Sequence, residues 1–168
     1  MSELESYRKP FETALRLLLV RWLQWSYDEP IHAFDLSFDC ANTEICISLL
    51  TDREPHLIKR GLTGLEEPWP VAEWRLTGIS RSGKHCFPDA AELVHWMHAQ
   101  GNRAVPPGSD PVKFDSQLNE ELKRFFFEVA TGPVILHELR RFRRAATRLH
   151  VRVHWFFEQQ PPLRYALE

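Results

Sequence analysis

Three potential metal ligands occur at three-residue spacing in one segment of the chain: Glu92, His95 and His98. If the segment is helical, this spacing places the three side chains on one face, where carboxylate and imidazole groups could hold a zinc ion. Zinc motifs on helices normally place two histidines four residues apart and add a further ligand, and neither feature is present. The pattern is more typical of a solvated polar face. We therefore predict no metal or other cofactor and keep these residues as weak metal candidates.

Two histidines, His32 and His154, lie in segments that we predict to be strands, where an imidazole could act as a general base. The groups that could complete a catalytic pair are Asp35, Asp39 and Cys46. The alternative is a half-buried, hydrogen-bonded histidine in each strand. The sequence contains no GxSxG nucleophile elbow, P-loop or GxGxxG fingerprint. It therefore favours a non-enzymatic protein, with a small hydrolase or metal-dependent enzyme as the alternative.

An arginine cluster, predicted to lie mostly on a helix, is the most visible charge feature: Arg140, Arg141, Arg143, Arg144, Arg148 and Arg152. Such a cluster could bind carboxylates of a protein partner or phosphates of a nucleic acid. The alternative is a solvated face whose arginine stems cover apolar surface. The candidate partner-binding residues in this cluster are Arg140, Arg141, Arg144 and Arg148. The net charge of −2 and the isoelectric point near 6.4 argue against a nucleic-acid partner.

Two of the six tryptophans fall within the six-residue segment W-P-V-A-E-W at residues 69–74. Tryptophans this close are typical of a buried aromatic anchor or a binding wall. The segment overlaps the end of a long loop, residues 52–70, and such loops are often functional. Trp69, Glu73 and Trp74 are therefore candidate partner-binding residues, with packing against the core as the alternative.

Composition limits the class of protein. A chain of 168 residues with 43% hydrophobic and 26% charged residues fits one globular domain. The three cysteines, Cys40, Cys46 and Cys86, show no zinc spacing and suit reduced thiols in a cytosol. The acidic N-terminus does not resemble a signal peptide, and the longest strongly apolar run, residues 17–20, cannot span a bilayer. We expect a cytoplasmic protein without a membrane partner.

Periodic apolar residues predict the elements that must position these groups. Spacings of three and four predict helices over residues 10–27, 88–100, 114–131 and 133–149. The last of these follows from the spacing of Ile135, Leu139, Phe142, Ala146 and Leu149. Alternation with a period of two predicts strands over residues 31–39, 44–51 and 150–157, and a further strand over 73–80 ends in a turn at 80–83.

The first two strands should form a β-hairpin with one buried face, to which His32 and Phe34 belong. The predicted buried core comprises Phe34, Leu36, Ile47, Leu93, Phe142 and Val153. The element order predicts one α+β domain over residues 1–168, with an antiparallel or mixed sheet packed on one face by helices. The proline-rich segment from about residue 159 is predicted to be a loose tail.

The hairpin residues 31–36 and 47–51, followed by W-x-x-x-E-W at 69–74, resemble a family of bacterial proteins of unknown function. Some members of that family resemble immunity proteins of toxin systems, which neutralise a toxin by binding it. The resemblance covers residues 10–80 and implies a protein partner such as a toxin, with no catalytic residues. The arginine cluster is outside the family pattern.

These observations favour a non-enzymatic protein-binding module of immunity or regulatory type. The first alternative is a small hydrolase or metal-dependent enzyme. The second is nucleic-acid binding through the arginine-rich helix. The sequence does not indicate an oligomeric state.

Overall fold

A mixed five-stranded sheet forms the centre of the described part of the fold, which is α+β as predicted. The computed structural model describes residues 3–24, 29–39, 44–51, 76–82, 90–103, 111–144, 148–155 and 162–168. The strands are β1 (Ile31–Asp39), β2 (Glu44–Thr51), β3 (Leu76–Ser82), β4 (Leu149–Trp155) and β5 (Leu163–Leu167). Their order in the sheet is β3-β2-β1-β4-β5, so β1 is the central strand.

The predicted hairpin is confirmed, because β1 and β2 pair antiparallel with Leu36 opposite Ile47. On its other side β1 pairs parallel with β4, and this pairing places Asp35 opposite Arg152. β3 pairs antiparallel with β2 and runs through Ser82. The prediction of a turn at residues 80–83 is therefore wrong for 80–82, because these residues continue β3 and pair with β2.

The prediction of a loose tail from about residue 159 is wrong for its last part. Residues Leu163–Leu167 form β5, which pairs antiparallel with β4. Leu167 is fully buried opposite Leu149. Prolines at the start of this segment suggested an unstructured tail, but a single short strand is enough to cover the free edge of β4.

The described helices are α1 (Glu3–Ser6), α2 (Arg8–Gln24), α3 (Ala91–Gly101), α4 (Pro111–Ala130) and α5 (Pro133–Leu139). α2, α3 and α4 occupy the predicted segments with small shifts at their ends. Gly132 and Pro133 separate α4 from α5 as predicted. A Cβ atom at Gly132 would lie only 3.1 Å from the carbonyl oxygen of Val129, and Pro133 occupies the first turn of α5.

The fourth predicted helix ends at Leu139 and not at about residue 149, so that prediction is wrong. Phe142 donates its backbone N–H to the Leu139 carbonyl in a tightened final turn. The carbonyl of Arg143 then accepts a hydrogen bond from the N–H of Ile31, and Arg144 forms a parallel bridge to Ile31. The chain leaves the helix because the end of the sheet provides other partners for its backbone.

The helices pack on one face of the sheet, where their apolar stripes meet alternate strand residues. Every member of the predicted core is buried: Phe34, Leu36, Ile47, Leu93, Phe142 and Val153. The first residue of β1 in this core is Ile31 and not His32. The pairing of β1 with β2 shifts register between Ile31 and Ala33. Such an irregularity interrupts the strict alternation of side chains, so Ile31 and Phe34 lie on the same face although they are three residues apart.

The second face of β1 is also buried, so the prediction of a hairpin with one buried face is wrong. Ala33, Asp35 and Ser37 are all withdrawn from solvent, and so are Cys46 and Ser48 of β2. The alternation in the sequence was interpreted as apolar-inside and polar-outside. Polar side chains can occupy a buried face when charges on adjacent strands neutralise one another.

Candidate functional site

Asp35, Arg152 and His154 form a buried charged group on the second face of the sheet, here called the Asp35 cluster. Parallel pairing of β1 with β4 places Arg152 beside Asp35 and His154 beside Ser37. His154 Nε2 lies 3.1 Å from Oδ2 of Asp35. Arg152 Nε lies 3.4 Å from Oδ1, which is close enough for strong Coulomb attraction without hydrogen-bond alignment.

The second nitrogen of His154 is also occupied, because Nδ1 lies 3.1 Å from the carbonyl oxygen of Trp155. Both oxygens accept hydrogen bonds, so both imidazole nitrogens must carry hydrogen to satisfy the geometry. Burial lowers the pKa of His154, but the hydrogen bond and charge of Asp35 raise it more, and the net direction is upward. The structure therefore favours the imidazolium form, with both N–H groups donating.

An imidazolium held in this way has no lone pair with which to accept a proton, so His154 is poorly placed to act as a general base. Ser37 is the neighbouring hydroxyl, and its Oγ makes no hydrogen bond within the described part of the chain. A Ser-His-Asp relay would require His154 to bridge the hydroxyl and the carboxylate. Here the imidazole bridges Asp35 and the Trp155 carbonyl.

The structure joins only part of the predicted catalytic set. Asp35 pairs with His154, whereas His32 is buried near His150. Burial is the main cause that lowers the pKa of His150, followed by the charges of three arginines and, last, of His32. Cys46 is buried on β2, opposite Ser37. Asp39 lies at the end of β1, four residues beyond Asp35.

Arg152 is a member of the predicted arginine cluster, but it is buried and belongs neither to a partner-binding surface nor to a solvated face. Only 5% of its surface is exposed. Burial lowers the pKa of the guanidinium, and the charge of Asp35 opposes that effect. The alternation of Val151 and Val153 with Arg152 and His154 was a usable signal, since it matches the apolar and polar faces of β1.

The remaining arginines of the cluster, at residues 140–148, lie after the end of α5 and before β4, not on a helix. Arg141 Nη1 lies 2.6 Å from Glu138 Oε2, and Arg148 Nη2 lies 3.1 Å from Glu168 Oε1. The other three are exposed and form no ion pair with a described residue: Arg140, Arg143 and Arg144. The cluster thus divides into members engaged by carboxylates and members that face solvent.

Glu138 joins α2 to the start of this segment. Its carboxylate lies 3.1 Å from Arg16 Nε and 2.6 Å from Arg141 Nη1, and 2% of the side chain is exposed. Burial raises the pKa of Glu138, but the hydrogen bonds of Arg141 and Arg16 lower it more. The carboxylate is therefore held ionised beneath two half-exposed guanidinium groups, as a clamp between helices.

A surface groove of about 680 Å³ lies between α1 and α4. It is lined by Leu4, Glu5, Ser116, Gln117, Glu120, Glu121, Arg124, Phe125 and Glu128. Four carboxylates and one guanidinium give this lining a net charge of −3. Glu5 and Glu128 are both paired with Arg8.

The weak metal candidates Glu92, His95 and His98 lie on α3 with exposed side chains. The side-chain amide of Asn102 contacts the ring of His98 at 3.2 Å. No group of three histidine, cysteine, aspartate or glutamate side chains within the described ranges is arranged to hold a metal ion. The candidates Trp69, Glu73 and Trp74, and the loop at 52–70, lie outside the described residues.

No helix in the described part of the chain is both long and apolar enough to cross a bilayer. No protein-family model, curated protein or solved structure matches this chain.

Proposed function

We propose that this chain is a cytoplasmic bacterial protein-binding module of immunity or regulatory type and has no catalytic activity. The hydrogen bonding of His154 is the observation that carries the proposal. One imidazole nitrogen hydrogen-bonds to Asp35 and the other to the backbone carbonyl of Trp155. The pair of His154 and Asp35 therefore links β4 to β1.

The position of the Asp35 cluster favours the same function. Asp35 is fully buried and Arg152 nearly so, whereas catalytic groups must reach a substrate. On the opposite face of β4, the Trp155 ring makes a cation–π contact with Lys123 of α4, whose Nζ lies 5.1 Å from the ring centroid. Residues next to the cluster thus help to hold the sheet against the helices, which is a structural role.

Residues 10–80 resemble a family of bacterial proteins of unknown function, some of which resemble toxin-immunity proteins, and this resemblance supports the type of binding proposed. In such systems a small protein neutralises a toxin by forming a stoichiometric complex. Exposed arginines at the end of α5 supply charged groups that a protein partner can contact.

A partner-capture experiment tests the binding function. Tagged full-length chain purified from its native host should retain a protein in stoichiometric amount, and the separately purified components should re-form the complex in calorimetry. If the neighbouring gene encodes a toxin, co-expression of this chain should restore growth. Failure of every purified candidate to re-form a complex would count against a binding module.

Activity measurements test the enzyme alternative. Hydrolysis of p-nitrophenyl acetate and p-nitrophenyl phosphate should not differ between the wild type and His154→Gln. His137→Gln is the matched control, because His137 is exposed on α5. Turnover that is lost in His154→Gln and kept in His137→Gln, with both variants folded, would show an enzyme. Stoichiometric zinc that disappears in His95→Ala/His98→Ala would show a metal-dependent one.

A further inference from the structure

We infer that Arg140, Arg143 and Arg144 form the surface on which an acidic segment of a protein partner docks. This inference rests on the proposed binding function and names the chemistry of the partner. The three residues are called the arginine surface. All three side chains are exposed and lie within five consecutive residues.

The arginine surface is the part of the predicted cluster whose charge remains available. Arg141 is held by Glu138 and Arg148 by Glu168, so those two guanidinium groups already have carboxylate partners. Arg140, Arg143 and Arg144 have no ion pair with a described residue. Positive charges within five consecutive residues and without such compensation repel one another, and an acidic ligand would relieve that repulsion.

The backbone beneath the arginine surface is fixed by hydrogen bonds. Arg140 donates its N–H to the Leu136 carbonyl at 3.0 Å, and the Arg143 carbonyl accepts from Ile31 at 2.9 Å. Arg144 then bridges to Ile31. Because both ends of the segment are anchored, a ligand would have to order only the side chains. Such preorganisation lowers the entropic cost of binding.

Carboxylates are the ligand that this geometry and charge balance favour. A guanidinium group binds a carboxylate through two parallel hydrogen bonds. A long polyanion such as duplex DNA would meet a chain of net charge −2 with an isoelectric point near 6.4. The three arginines lie in the turn and bridge after α5, so they do not form the regular stripe along a helix that could track a phosphate backbone.

Fluorescence anisotropy with a labelled poly-glutamate peptide tests the inference at physiological salt, with a duplex DNA oligonucleotide as the second probe. The variant is Arg140→Glu/Arg143→Glu/Arg144→Glu in the full chain. The matched control reverses three exposed arginines elsewhere, Arg103, Arg124 and Arg164, and has the same net charge. Melting temperatures establish that both variants are folded.

The arginine-surface variant should bind the peptide about tenfold more weakly than wild type, as expected for the loss of three exposed ion pairs. The control should change affinity by less than about twofold, the range of screened long-range effects. Equal loss in both variants, no peptide binding by the wild type, or tighter binding to DNA than to the peptide would each overturn the inference. A captured partner that still binds the arginine-surface variant would overturn it while leaving the binding function intact.

Discussion

Replacing Asp35 with asparagine should destabilise the fold by about 3–5 kcal/mol, the cost typical of removing one member of a buried ion pair. Asp35 is fully buried, and only 6% of the Arg152 side chain is exposed. The substitution keeps the size of the side chain and removes its charge. Arg152 and His154 would then lose the carboxylate that offsets the desolvation of their positive charges.

The pH dependence of His154→Gln provides a second readout of the same cluster. Burial lowers the pKa of His154, and the hydrogen bond and charge of Asp35 raise it above the ordinary value of 6.5. A raised folded-state pKa stabilises the fold fully below the unfolded pKa, and this contribution disappears as pH rises through the folded pKa. The stability difference between wild type and His154→Gln should therefore be largest in mild acid and shrink as the pH rises.

Urea denaturation monitored by tryptophan fluorescence at several pH values measures both effects. Glu92→Gln is the control, because this carboxylate is exposed on α3 and its removal should change stability by less than about 0.5 kcal/mol. The double variant Asp35→Asn/His154→Gln should be less destabilised than the sum of the single variants by about 0.5–3 kcal/mol. Stability of Asp35→Asn within about 1 kcal/mol of the wild type would refute the buried ion pair. Parallel pH profiles for wild type and His154→Gln would refute the coupling of the histidine to it.

Three further outcomes follow from the fold. Glu138→Gln should cost about 1–2 kcal/mol in chemical denaturation, because it weakens the hydrogen bonds of two half-exposed arginines; wild-type stability would contradict the clamp. Leu167→Ala should cost about 2–5 kcal/mol, whereas Arg164→Ala, at an exposed position on the opposite face of β5, should be nearly neutral; equal losses of stability would contradict the packing of β5. Duplex DNA should bind no more tightly than about micromolar at physiological salt, and a mobility shift at nanomolar protein would contradict this.

Local patterns in the sequence were sufficient to locate most helices and strands. Alternation over residues 31–39 and 44–51 correctly predicted β1 and β2, because adjacent side chains of a strand point to opposite faces. Spacing of three and four correctly placed Leu93 and Leu139 in the core. These signals are local, since each depends only on the backbone geometry of a few consecutive residues.

The candidate site was less accessible to sequence reasoning. Asp35 and His154 are 119 residues apart, and either could have been solvated, paired elsewhere or catalytic. The sequence did identify the arginines near residues 140–148, but it assigned them to a helix. Their division into engaged and available groups depends on Glu138 and Glu168, which approach only in the folded chain.

The sequence by itself determined the α+β class, the hairpin and the apolar core, because periodicity is imposed by backbone geometry. Only the tertiary structure decided that β4 lies parallel to β1 and that β5 covers the outer edge of β4. It also decided that the chain after α5 pairs with Ile31, which donates its N–H to the Arg143 carbonyl. These outcomes depend on competition between distant segments for the same backbone hydrogen bonds. For the same reason, the charge of Asp35 became part of the buried interior: parallel pairing brought Arg152 and His154 beside it.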